Sequence, residues 1–467
     1  LLGGSSIESS SQIHNFTPGL GQGGNITIRG FEGASSAAES VTLSGDSFLS
    51  SATAGSGDGG RVAITSKSLT MEGAATTVKS ETTGVGRGGD IVVNVQHASL
   101  SGGATIKTLT SSNEDHAPAG GSITVQGLSG EESMADSLVL SGLGSGIASD
   151  AQGAGTISAG DVTVHAKAIS LADGAVIQSG TLDTTGAGGN VTIVADSVDI
   201  SGRSSISSQA RGADAGRTHI TANRLLLSNA SIASNTTSNG RGGDVVLNVG
   251  TMNLLNGATI NSSTSEAGRA GDITMNVGSL TLANHSEITS SSTGGPEIVA
   301  GAGHAGNITV LSRSTVVLNN SSSITTEAIE ASGGQITINA PHMVRLVNSR
   351  LSTGGGGNIS IDPDFVILQN SPILARAFAG SGGAIDVTAG LFLADPASVV
   401  DASSTLGVSG TVQINAPINN LSSVVARLPE SLLAVQALLR ASCAAKLAQG
   451  ATSSFVERGR DGIPAGP

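Results

Sequence analysis

The chain has 467 residues with 67 Gly, no Trp, no Tyr and only 7 Phe, which excludes a globular core built on large aromatic side chains. Charged residues make up 12% and the net charge is −13, a balance that disfavours nucleic acid and anionic membrane surfaces, both of which call for a basic patch. The single cysteine, Cys443, permits no intrachain disulfide and no thiolate metal site, and no apolar run reaches the length of a membrane span.

The first residues, "LLGGSSIESSS", carry neither an initiator Met nor a signal peptide, so the sequence reads as the C-terminal part of a longer protein. From residue 20 one phrase then recurs to residue 415: "GGNITIRG" (23–30), "GGDIVVNV" (88–95), "GGNVTIVADSVDISG" (188–202), "GGDVVLNV" (242–249). Its second small residue is always glycine, at 24, 60, 89, 121, 160, 189, 216, 243, 271, 306, 334, 357, 383 and 410. These fourteen anchors lie 23 to 39 residues apart. Of the 28 positions two and four residues beyond them, 27 are apolar, Thr218 being the exception. Such period-two alternation is a half-buried strand. A second phrase follows ("SVTLSG", 40–45; "SLTLAN", 279–284), then a third ("GAVIQS", 174–179; "GATINS", 257–262), giving three short strands per repeat.

Without helices or Asn-Gly hairpin turns between them, equivalent strands are expected to stack in parallel from repeat to repeat. Parallel crossovers are overwhelmingly right-handed, so the expected fold is an all-β, right-handed parallel β-helix of about fourteen three-stranded coils, on the order of 65 Å long. The anchor glycine suits a corner where φ is positive or where the backbone passes close to its neighbour.

Nine of the eleven prolines follow residue 295, and the pattern stops near Asn420. The expected division is a repeat shaft over 1–420, a C-terminal helix over 421–450 and a Gly/Pro-rich tail over 451–467. In "PESLLAVQALLRASCAAKLAQG" (429–450), Leu432, Leu433, Val435, Leu438, Leu439 and Leu447 form an apolar stripe after Pro429. A solenoid must cover its last rung, so this helix is read as a cap, with partner docking as the alternative. The tail's Arg458-Gly459-Arg460-Asp461-Gly462 has the wrong order for an Arg-Gly-Asp adhesion triplet.

The repeat phrase, as in Gly188 to Ser208, resembles the shaft of filamentous-haemagglutinin-like exoproteins of bacterial two-partner secretion. The ending is similar to a C-terminal signature found in a branch of that family: Cys443, Ser453-Ser454-Phe455-Val456, Gly459-Arg460 and Gly462-Ile463-Pro464 match, while Asp461 stands where glycine is usual. The resemblance implies an adhesin-like molecule of a Gram-negative bacterium, passed through an outer-membrane transporter partner and residing at the cell surface or outside. The secretion domain that defines the family does not occur in this sequence.

Three chemistries were weighed against surface readings. Asp362 and Asp386 on adjacent coils, near Asn339, His342 and Arg345, could serve lyase or glycosidase chemistry, but 35 acidic residues in the chain place two together often by chance. Asp90, Asp161, Asp244 and Asp272 each follow an anchor, as a calcium ladder would. The same slot elsewhere holds Asn25, Arg61, Ser122, Gln335 and Ala384, and an Asx-type turn explains the preference. The eight histidines share no spacing. Seven outward slots three after the anchor are Thr (27, 124, 163, 192, 274, 309, 337), either a ligand ladder or, better, β-branched residues stabilising exposed strands. No catalytic, cofactor or metal residue is therefore assigned, no cofactor is expected, and the chain is read as a non-enzymatic fibrous shaft. The alternative is a polysaccharide-active or polymer-binding β-helix protein. A ligand-binding head, if present, is sought in the longest repeats, 24–60 and 121–160.

Overall fold

A computed structural model of the chain describes residues 6–11, 21–33, 36–112, 119–237, 239–265, 267–292, 303–328 and 331–421. Over these residues the protein is a parallel β-helix, and every strand pairing joins parallel strands. The expected helix over 429–450 and the tail over 451–467, with Cys443, lie outside the described residues.

The inward position two after each anchor stacks in one unbroken column. Ile26 pairs with Val62, then Ile91, Ile123, Val162, Val191, Thr218, Val245, Ile273, Ile308, Ile336, Ile359, Ile385 and Val412. All fourteen repeats are thus coils of one solenoid. Val191 and Ile193 are wholly buried, whereas Thr192 and Val194 between them are only half-buried, as the alternation requires.

The three strands of a repeat are distributed differently from the sequence expectation. In the central coils the first two phrases form one continuous strand of 11 residues, for example Val62–Glu72, Val191–Ser201 and Ile273–Ala283. Its burial changes phase in the middle, where Asp196 and Ser197 both face outward, so the strand bends and carries two faces of the coil. The third phrase gives a separate 14-stranded sheet. Between the sheets lies one long aliphatic core in which Phe392 is the largest fully buried side chain, with a small separate cluster of Ala151, Ile157 and Ala159.

The two Gly-bearing corners obey different rules. None of the anchor glycines has a positive φ; they are glycines because coils touch there. A Cβ on Gly189 would lie 2.6 Å from the carbonyl carbon of Gly160 and 2.6 Å from Ser179 Oγ. Positive φ recurs most regularly at the corner after the second strand, where twelve successive coils place a left-handed residue, Gly102 (63°), Gly202 (64°), Asn229 (50°), Asn284 (56°) and Asn370 (47°) among them; ahead of the anchors it appears only in some coils, as at Gly84 and Gly356. Asparagine at this corner also bonds along the stack, Asn284 Nδ2 donating to Asn256 Oδ1 and Asn320 Nδ2 to Asn284 Oδ1, both at 3.1 Å.

Candidate functional site

Inside the third strand runs a column of hydroxyls that the sequence reading quoted without interpreting. Ser51, Ser80, Ser149, Ser179, Ser208, Ser234, Ser262 and Ser290 are each at most 1% exposed, and each donates to the carbonyl of the anchor glycine that opens its own coil. Ser149, Ser179 and Ser290 also accept from the anchor N–H of the next coil, at 2.9, 3.0 and 3.0 Å. A buried hydroxyl tolerated only when bonded thus ties each third strand to its own anchor and, at Ser149, Ser179 and Ser290, clasps two coils together.

The slot after the anchor is a second clasp. Asn25, Asp90, Asp161, Asn190, Asp244, Asp272, Asn307 and Asn358 all accept, through Oδ1, the backbone N–H of the same slot one coil later, at 2.7–2.9 Å. This corrects the expected Asx turn: the oxygen bonds the neighbouring coil rather than its own turn. It also accounts for Asp and Asn being interchangeable, since an accepting oxygen is all the slot needs. Arg241 lies 2.6 Å from Asp244 and 3.5 Å from Asp272, so two of the four supposed calcium ligands sit around a cation of the protein's own. No group of three or more metal-ligating side chains occurs among the described residues.

The carboxylates singled out for catalysis are diagonal neighbours on adjacent coils. Asp362 stacks under Asn339, whereas Asp386 stacks under Ser360, two residues off that column. Arg345 lies on the other part of the coil and donates to Gln369 Oε1 at 3.0 Å. Among the described residues neither Asp362 nor Asp386 makes an ion pair.

Along the bend of the long strand the charges alternate up the stack. Glu39 meets Lys67 at 2.7 Å and Asp136 meets Lys167 at 2.6 Å; Asp196, in register beyond Lys167, takes a hydrogen bond from Asn223 at 3.2 Å. The bond from Lys167 holds the Asp136 carboxyl below its usual range and Asp136 in turn raises the Lys167 ammonium. These pairs, half-covered to exposed, form a balanced ridge, not an electrostatic groove. The Thr positions interrupt one another with Ala63, Val92, His219 and Val246. His219 is pushed towards its neutral form by burial and by Arg217, and its Nε2 lies 3.0 Å from Asn248 Nδ2.

The longest repeats carry no large insertion in their described parts. Each lengthens between its first and second strands through a short loop closed by a glycine N–H on a serine carbonyl, Gly30 to Ser36 at 2.9 Å and Gly127 to Ser133 at 2.8 Å. Phe31 stands fully exposed on the first of these.

One polar group on the third sheet escaped the sequence reading. Asp150 is desolvated by burial, which raises its carboxyl pKa; a hydrogen bond from Gln178 Nε2 at 3.0 Å and the charge of Lys107 oppose that rise. Lys107 stacks directly on Lys79, which pairs with Glu81 at 2.9 Å. Glu81 and Asp150 share an outward column with Leu109 between them. The signal was present as two lysines at equivalent positions of successive repeats, "TVKSE" and "TIKTL".

Comparison with protein-family models and with curated proteins returns no match. Among the described residues no helix is long and apolar enough to cross a membrane.

Proposed function

We propose that this segment is the shaft of a secreted or surface-exposed fibrous exoprotein, adhesin-like and non-enzymatic, whose work is to project and to stack. The supporting observation is the destination of its polar groups. The recurrent Asx oxygens are consumed in bonds from coil to coil, the buried hydroxyls in bonds to the anchor glycines, three of them bridging two coils, and Glu39 with Lys67 and Asp136 with Lys167 pair along the rod axis. The resemblance of the repeat phrase and of the tail to filamentous-haemagglutinin-like exoproteins supplies the rest of the proposal: export through an outer-membrane transporter partner of a Gram-negative cell. Protease treatment of intact producing cells, with antibody detection of the shaft, tests it. Digestion at the surface or recovery from the medium is expected, and retention inside intact cells refutes the proposed location.

A second reading, a polysaccharide-active or polymer-binding protein, is favoured by Asp150 beside Lys107, Lys79 and Glu81. A carboxyl held towards its acid form next to cations suits an anionic sugar. Incubation with acidic polysaccharides separates the two. Turnover abolished by Asp150→Asn, or by Asp362→Asn or Asp386→Asn, overturns the non-enzymatic reading.

A further inference from the structure

The inward column is sealed along the shaft and opens at its last rung. Ile336, Ile359 and Ile385 are wholly buried, yet Val412, the next member, is 44% exposed and Ile418 on the same coil is 62% exposed. The opening continues onto the side of the rod. Phe378 and Leu406 are stacked there, Leu406 N–H donating to Phe378 O at 2.9 Å; they are 72% and 71% exposed, and Val408 beside them is 74% exposed. Over the rest of the described shaft, exposed large apolar side chains occur singly. Here five of them gather on the last three coils, at the end and the adjoining corner, where exposed apolar surface marks a site of docking.

We propose that residues 429–450 of this same chain seat on that surface and seal the solenoid. The occupant follows from three observations. The chain leaves the open rung at Leu421, and its next apolar stripe begins at Leu432, eleven residues on. Eleven residues reach up to ~38 Å when extended, ample to double back across one coil. The stripe carries Leu432, Leu433, Val435, Leu438 and Leu439 at helical spacing, an apolar face matched to an apolar end. The charges also complement. Residues 357–421 hold Asp362, Asp364, Asp386, Asp395 and Asp401 against Arg376 alone, whereas 422–450 hold Arg427, Arg440 and Lys446 against Glu430. A second copy docked end against end offers no such complement, since its last three coils carry the same net negative charge. Tethering fixes the choice further, because a linked segment competes at an effective concentration that a separate chain seldom reaches.

Hydrogen exchange on the full chain tests the inference, with Leu438→Asp/Leu439→Asp as the disabling variant. The amides of Thr411–Asn415 are expected to exchange slowly in the unaltered protein at every concentration, and at least tenfold faster in the variant, while those of Val191–Ser201 stay unchanged. Protection that the double substitution leaves intact overturns the proposal. So does protection that grows with concentration alongside a doubled mass in light scattering, which assigns the surface to a second copy. Cys443 is the only cysteine, so Ile418→Cys in an otherwise unaltered chain gives an independent readout. Mild oxidation is expected to form a disulfide within one chain. Disulfides formed only between chains, or none, count against the seal even where the double variant fails to fold.

Discussion

Removing the Ser179 hydroxyl, by Ser179→Ala, deletes one clasp between two coils. In the native protein its Oγ donates to Gly160 O at 2.8 Å and accepts from Gly189 N–H at 3.0 Å, and the residue is completely buried. Alanine fits the space, so no clash confuses the reading. The bond to Gly160 O is lost at a net cost of about 1 kcal/mol, and the Gly189 N–H is left without its acceptor, which costs about 1–3 kcal/mol for an unsatisfied buried donor. Together these predict a local loss of roughly 2–4 kcal/mol. In a solenoid this loss falls mainly on the interface between neighbouring coils rather than on one global transition, so a melting temperature is a blunt measure. Native-state hydrogen exchange is the sharper assay. Amides of Val191–Ser201 should exchange roughly 30- to 700-fold faster, at about 1.4 kcal/mol per tenfold, while those of Ile336–Asn339, five coils away, keep their rates. The outward control Thr192→Ala should change either set by less than about 0.5 kcal/mol. Unchanged exchange in Ser179→Ala would falsify the idea that the hydroxyl column holds the coils together.

Val191→Asp should destabilise its coil severely, because a carboxylate enters a wholly buried aliphatic stack, whereas Thr192→Asp, one residue along and outward, should be nearly silent; equal denaturation midpoints for the two variants would show that the faces are misassigned. Asp150→Asn should stabilise the protein at neutral pH, since burial raises the native carboxyl above its ordinary value and the folded state therefore resists ionisation. In the unsubstituted protein that contribution is neutral below the unfolded carboxyl's ordinary pKa and becomes unfavourable as pH rises through the raised native value. The two proteins should thus converge in stability at acid pH and separate towards neutrality, and a variant less stable at neutral pH than at acid pH relative to its parent counts against the assignment.

The positions that alternate with period two were legible because a strand's in/out pattern is local. Every anchor chosen from the repeat phrase reappears in register, and even Thr218, the one polar residue among the inward slots, is completely buried in its column. What a residue bonds to in another coil was not legible. Ser179 reads as an ordinary small residue until the anchor carbonyl 19 positions earlier is brought beside it, and Asp161 reads as a turn former until the N–H 29 positions later is. The roles of the two glycine corners were merged for the same reason. Close approach and positive φ both select glycine, and only the second also admits the asparagines that follow residue 228. Asp150 was missed because the groups that act on it, Gln178 and Lys107, stand in adjacent coils and not on its own strand.

A rod held by these clasps has a consequence for where recognition can reside. The clasp columns favour Ser or Thr inside and, in eight of fourteen coils, Asp or Asn at the corner, while the outward column three after the anchor accepts Thr, Ala, Val, His, Ser, Asp and Gln without disturbing register. Outer-face identity is therefore nearly free of the fold, and a uniform ladder along the whole length has no structural necessity. A ligand that reads this protein must read a departure from the ladder. Two departures stand out in the described part. One is the Lys79, Glu81, Lys107 and Asp150 group, where charge is carried onto the third sheet and one carboxyl is kept from ionising freely. The other is the apolar end around Val412, Phe378 and Leu406. The first has the chemistry to meet an outside partner; the second is the surface proposed above for the chain's own remaining apolar stripe. Substitutions aimed at adhesion or polymer binding accordingly belong on the third sheet between Lys79 and Gln178, and substitutions aimed at assembly belong on the last coil.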